Sequence, residues 1–232
     1  EFRRVLFRSM DTTEFYPFGS GAMGTVSQSA GVLVLNSPDQ PYEEQGIATR
    51  EMTVGTNDFL QVSYDVVEMS QRVNPAVNGN MTLSVIDAGL NNFAYYHYPR
   101  AALTLAIIRQ FDTNDFLVLA FSKPFGNSFG QGTKLGETLV SVSSFPFNIR
   151  MTVDKSNFEL FFDNTSVMAL PHGITYSGAM AVQIAARNEG DNAGDIQEMD
   201  SRTTLKIDNF NLGLNGSGTE TPVNAAKCWS LY

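Results

Sequence analysis

The chain has 232 residues, 43% of them hydrophobic and 17% charged, with 15 Lys+Arg against 24 Asp+Glu and a formal net charge of -9. That is the profile of one globular domain with a substantial core, and it excludes a disordered or fibrous chain. The summed field has the wrong sign for nucleic-acid phosphate or an anionic membrane face, and no run approaches the roughly 18 consecutive apolar residues of a spanning helix.

Residues 1–10 form a segment apart. EFRRVLFRS sets Arg3, Arg4 and Arg8 beside Glu1 ahead of Met10, which has the look of a translated cloning or sequencing scar and is set aside from the fold. Without its three basic residues and one acid, 12 basic residues face 23 acidic ones, a balance of -11. No apolar stretch with a small-residue cleavage site opens the chain, so a secretory leader is not visible.

From Thr25 onward the hydrophobic period is two, in short runs closed by Gly, Asn, Asp or Pro, the pattern of half-buried strands. Ten runs predict strands: Gly31–Leu35, Phe59–Val67, Met81–Ile86, Leu103–Phe111, Asp115–Ser122, Thr138–Val142, Phe145–Val153, Phe158–Phe162, Ala179–Ala186 and Leu205–Leu212. Turns are expected at Asp112–Asn114 and Asp154–Asn157. No window shows a cleaner helical period, and Gly and Asn interrupt the chain too often for long helices.

Strands without crossover helices pair antiparallel, and ten of them are best accommodated as two packed sheets. The predicted fold is therefore all-β, an antiparallel two-sheet jelly-roll sandwich over residues 11–214. The inward side chains are expected to include Val26, Leu33, Leu60, Val62, Ile107, Leu117, Leu119, Phe121, Ile149, Met151, Val153, Leu160, Phe162, Val182, Ile184, Ile207 and Phe210. The acidic, Gly-containing stretch Asn188–Ser201 reads as a long exposed loop, and residues 215–232 as a flexible tail. Cys228 is the single cysteine, which excludes an intrachain disulfide and a polythiolate zinc site.

Three segments carry a resemblance. GTVSQSAGVLVL within Phe15–Leu35 resembles a first hairpin, IRMTVDKSNFELFFD over Ile149–Asp163 a central hairpin, and LKIDNFNL over Leu205–Leu212 a closing strand with an acid at Asp208. Together they resemble the concanavalin A-like sandwiches, especially the laminin G-like and glucanase-like branches. That resemblance implies a lectin-like domain, extracellular or at the cell surface, with a polysaccharide or glycan as partner. It also implies a structural calcium ion held by Asp208 and a carbonyl at Gly31, with Asp11 or Glu14 near by.

Glucanases of this fold need two carboxylates about 5–5.5 Å apart, supplied by an E-x-D-x-x-E strand. The chain has no such motif; Asp65 and Glu68, three apart, fall on opposite faces of a regular strand. Alginate lyases of the fold need a Tyr or His base and an Arg or Gln on the sugar carboxylate. The residue types occur in Tyr95, Tyr96, His97, Tyr98 and Arg100, and in Gln183 and Arg187, yet Gln183-Ile184 is followed by Ala185 where those lyases have His. His172, after Pro171 and before Gly173, reads as a solvated turn residue. In the acidic loop, the twelfth position from Asp191 is Arg202, so the EF-hand pattern fails.

A binding site asks less. Aromatic faces stack on pyranose C–H faces while amides, hydroxyls and charges bond the sugar hydroxyls, and Tyr95, Tyr96 and Tyr98, with Asn91, Asn92, His97 and Arg100, supply both kinds of group. The expectation is a carbohydrate-binding domain; the alternatives are a polysaccharide-degrading enzyme of the same fold and an adhesive module that contacts protein. If the tyrosine patch binds sugar, replacing Tyr95 and Tyr98 by Ala abolishes glycan-array binding, and unchanged binding discards the patch.

Overall fold

The computed structural model describes residues 15–19, 24–29, 31–38, 44–56, 58–70, 79–89, 101–110, 113–123, 132–188 and 203–215. These form β1 (Phe15–Gly19), β2 (Thr25–Ser29), β3 (Val32–Asn36), β4 (Glu44–Thr49), β5 (Met52–Thr53), β6 (Phe59–Met69), β7 (Gly79–Asp87) and β8 (Ala102–Arg109). They continue with β9 (Asp115–Lys123), β10 (Thr133–Ser141), β11 (Phe147–Val153), β12 (Asn157–Phe162), β13 (Thr165–Pro171), β14 (Ala179–Arg187) and β15 (Thr204–Asn215). No helix occurs among the described residues.

One sheet runs β1-β4-β14-β7-β8-β9-β10 with β5 against β14, the other β13-β12-β11-β6-β15-β3-β2. All the strand pairings are antiparallel. The predicted sandwich is thus the observed one. Its inner faces follow from alternation: β6 buries Leu60, Val62, Tyr64 and Val66, β8 buries Leu103, Leu105 and Ile107, and β11 buries Phe147, Ile149, Met151 and Val153.

Aromatic contacts clamp the sheets near both margins. On one side Phe116 of β9 meets Phe147 of β11 with ring centroids 4.9 Å apart, and Phe147 stacks on Phe162 at 5.5 Å. On the other, Phe15 of β1 meets Phe210 of β15 edge-on at 5.6 Å. Arg109 of β8 adds a polar tie, its Nη1 donating to the Met69 carbonyl of β6 at 2.6 Å.

Four expectations are corrected. On β9 the buried side chains are Phe116, Val118 and Ala120, so Leu117, Leu119 and Phe121 point outward. FLVLAF is apolar on both faces, and a two-residue period cannot choose between them. Phe15–Leu35 is not one hairpin: β1 pairs with β4 in the first sheet, while β2 and β3 form the hairpin in the second, turned at Gly31 with φ 84°. β4, β5 and β13 had no clear alternation in the sequence; β4 (EQGIAT) is buried from Gly46 to Thr49, with small residues where a half-buried strand carries large ones. Finally, β10 begins at Thr133, because a bulge between Lys134 and Gly136 breaks the period there.

Gly46 sits where β4 presses on β14. A Cβ at this position would lie 2.1 Å from the Ile184 carbonyl oxygen and 2.7 Å from the Ala185 Cα, so Gly46→Ala is expected to destabilise the fold by about 1–3 kcal/mol in urea unfolding. Tyr64 is fully buried, with no hydrogen-bond partner for its hydroxyl, and burial raises its pKa above the usual phenol range. Removing that orphan hydroxyl in Tyr64→Phe is expected to stabilise by roughly 1 kcal/mol; a loss of stability would show that the hydroxyl is satisfied.

Candidate outer-face binding site

An inner face committed to the core leaves the opposite face of each strand outward, and register aligns those outward positions in rows. In the first sheet one row reads Tyr16, Ala48, Gln183, Ser84, Thr104, Phe121 and Lys134 across β1, β4, β14, β7, β8, β9 and β10. Its neighbour reads Phe18, Gly46, Ala185, Thr82, Ala106, Leu119 and Glu137. The centre of this face is low in relief, built of Ala, Gly, Ser and Thr between larger side chains.

Beside the buried apolar cluster of Phe18, Ala48, Ile86, Ala102, Ala181 and Ala185, the centre holds polar groups. Ser84 Oγ and Thr104 Oγ1 are 2.9 Å apart, and the Gln183 amide belongs to the next strand. Ser84 and Gln183 are only 5% and 4% exposed, whereas Thr104 and Phe121 are half-buried. From Gln183 to Phe121 the row crosses three strand gaps, about 14 Å at ~4.8 Å each.

Of the sugar-binding residues expected from the sequence, Gln183 and Arg187 are described, and both lie on this outer face. Arg187 Nη1 pairs with Glu44 Oε1 at 3.1 Å across the β14–β4 register. Tyr95, Tyr96, His97, Tyr98, Arg100 and Glu14 lie outside the described residues, as do Asp11 and the acidic stretch from Glu189. Asn188, expected in an exposed loop, is buried and donates through Nδ2 to the Pro38 carbonyl at 2.9 Å.

The sequence reading missed Tyr16, Ser84, Thr104 and Phe121. For Phe121 a signal was present: a strand apolar on both faces has one apolar face outside the core. Charge accompanies the ring on this side, because Lys134 pairs with Glu137 at 2.6 Å and burial lowers the pKa of Lys123.

The second sheet's outer face holds Asp208, the expected calcium ligand. A break in the β6–β15 register between Lys206 and Ile207 puts Glu68 and Asp65 on the same face rather than opposite ones. Neither is free for catalysis: Glu68 pairs with Lys206 at 2.5 Å, and Asp65 accepts from Asn148 Nδ2 at 2.8 Å and Asn209 Nδ2 at 2.6 Å. Asp208 Oδ1 accepts from the Asn209 backbone N–H at 2.7 Å.

Among the described residues no group of three His, Cys, Asp or Glu side chains could hold a metal. Asp65 and Asp208 accept amide protons and Glu68 pairs with Lys206, while the further expected ligands Asp11 and Glu14 lie outside the described residues. Gly31 is a buried turn position with φ 84°, and its conformation is explained by the β2–β3 turn.

His172 is fully buried rather than solvated. Its Nδ1 accepts the Ile174 N–H at 3.1 Å, which leaves Nε2–H to donate to the Asp154 carbonyl at 2.9 Å. The ring therefore fastens the β11–β12 turn. In that turn Asp154 Oδ1 accepts from the N–H groups of Ser156 and Asn157 at 2.6 and 2.7 Å. Burial alone would raise the Asp154 pKa, but these two bonds and nearby His172 outweigh it and hold the carboxyl below its ordinary value.

No protein-family model matches the chain, and no curated protein matches it. Solved structures do. The Emp47p carbohydrate recognition domain aligns with a TM-score of 0.56 and 12% identity over 92% of this chain and 93% of that one. The potassium-bound Emp46p carbohydrate recognition domain gives 0.54 and 12% over 88% and 93%. Carbohydrate binding module CBM66 from Bacillus subtilis gives 0.51 and 10% over 84% and 94%.

The fold is that of the concanavalin A-like sandwiches. Within this concanavalin A-like domain the two outer faces differ in kind. One sets the Gln183, Ser84 and Thr104 row beside a buried apolar cluster of small side chains with Phe18 and Ile86; the other is a network of paired charges and amides.

Two outcomes follow. Because Asp65 and Asp208 already accept amide protons and Glu68 an ammonium group, EDTA is expected to leave the melting temperature unchanged, and a fall reversed by calcium would restore the ion. A depressed carboxyl pKa contributes stability above its ordinary value of 3.8 and loses it as pH falls through the lower folded value. Asp154→Asn is therefore expected to be less stable at neutral pH but to lose less on acidification below that value; parallel curves would remove this role.

Proposed function

We propose that the chain is a carbohydrate-binding domain whose glycan lies on the outer face of the first sheet, over Gln183, Ser84, Thr104 and Phe121. The observation that carries the reading is the single row in which an amide and a bonded hydroxyl pair adjoin an aromatic ring. The amide and hydroxyls can exchange hydrogen bonds with sugar hydroxyls while the ring covers a pyranose C–H face. The likeness to two carbohydrate recognition domains and a carbohydrate binding module supports it. We place the protein outside the cell or on its surface, where glycans are displayed.

Among the described residues, the acids of this face favour binding over hydrolysis. Glu44 pairs with Arg187, Glu137 with Lys134, and Asp115 accepts from Ser141. Asp115 is opposite Ser141, four residues from Glu137 along β10, a separation of about 13 Å. That exceeds the 5–5.5 Å of retaining and the 6.5–9.5 Å of inverting glycosidases.

On a ligand found by glycan array, Phe121→Ala is expected to weaken binding about tenfold, or ~1.4 kcal/mol, and Thr104→Val several-fold. The melting temperature should change little, because Phe121 lies outside the core. Phe161→Ala, on the outer face of the second sheet beneath Arg150, serves as control and should bind like the wild type. Equal losses in Phe121→Ala and Phe161→Ala, or none in either, would move the site elsewhere.

A further inference from the structure

Exposure along the first sheet's outer face changes abruptly from strand to strand. In the row through Phe121, Lys134 of β10 is exposed, Phe121 of β9 and Thr104 of β8 are half-buried, and Ser84 of β7, Gln183 of β14 and Ala48 of β4 are buried. The neighbouring row repeats the step. Glu137 is exposed, Leu119 and Ala106 are half-buried, and Thr82, Ala185 and Gly46 are buried.

Small side chains alone do not explain the buried half. Ile86 on this face has Ala102 and Ala181 as register partners, so it stands higher than both, and yet it is 0% exposed within the cluster they share. Solvent therefore does not reach this part of the face. The outer face is open over β8, β9 and β10 and closed over β7, β14 and β4.

The step runs through the middle of the sugar row. Thr104 stands on the open side, and Ser84, its hydroxyl partner at 2.9 Å, on the closed side. Ala102, two residues from Thr104 on the same face of β8 and about 7 Å away along the strand, is buried as well. Thr104 thus occupies a corner, closed toward β7 and toward Ala102. From β8 to β10 the open part is two strand gaps wide, about 10 Å, and β10 ends the sheet, with Leu139 63% exposed there. Along β9 the next outward residues are Leu119 and Leu117, which offer a sugar neither an aromatic face nor a hydrogen bond. The row direction offers both.

We propose that this site recognises the free end of a glycan chain: the terminal pyranose sits in the corner at Ser84 and Thr104 with its C–H face on Phe121, and the rest of the chain leaves across β10. The inference rests on the carbohydrate-binding reading and adds which part of the glycan is bound. An internal segment lying along the row would have to continue over Ser84 and Gln183, where the face is closed.

The test is calorimetry of the full chain with a graded series, from disaccharide to hexasaccharide, of the sugar that the glycan array identifies. One protein is expected to bind per glycan chain at every length, with molar affinity changing less than about twofold beyond the trisaccharide and Phe121→Ala weakening every length by the same factor. Capping one terminal residue is expected to weaken binding at least about tenfold, and separate caps on the reducing and non-reducing ends identify which end is held. Stoichiometry that rises with chain length, or binding indifferent to both caps, overturns the inference and leaves the carbohydrate-binding reading standing; binding of no glycan at all overturns both.

Discussion

Burial of one face of each sheet against the other is the constraint from which the rest follows. Once Phe116, Phe147 and Phe162 meet at one margin and Phe15 and Phe210 at the other, the parity of the joined strands is set and alternation assigns each remaining side chain to the inner or the outer face. The row from Tyr16 to Lys134 is a consequence of that parity. So is the outward direction of Phe121, since Val118 and Ala120 belong to the core.

The two outer faces show how one architecture supports different surfaces. On the second sheet, Asp65, Asn148, Asp208 and Asn209 bond one another, and Glu68 bonds Lys206; their polar atoms are largely consumed by structure. On the first, small side chains flank a hydroxyl pair and a half-buried aromatic ring. The Ser84–Thr104 pair is likewise bonded, so what sets the first face apart is the alignment of that pair with the Phe121 ring in one register row.

Much of this was legible in the sequence where alternation was strong. β6, β8, β11 and β12 carry one apolar face each, and their buried residues were the expected ones. Alternation failed where both faces have the same character. β9 is apolar throughout, so its direction was open, and β4, with Gly46 and Ala48, offered no large residues to mark a face. His172 was misplaced for a different reason: its burial depends on a backbone carbonyl at Asp154 and an N–H at Ile174, partners that residue type and local spacing do not announce. Gln183 and Arg187 share one face of β14, but the hydroxyls of Ser84 and Thr104 become neighbours only through the β7–β8 register.

Backbone amide chemical shifts recorded while an array-identified glycan is titrated into the isotopically labelled chain give the most direct view of which face is used. The account predicts saturable perturbations centred on Ser84, Thr104, Phe121 and Gln183, with Asn148, Arg150, Phe161 and Asp208 unmoved. Perturbations centred on the second group, with the first silent, would contradict it.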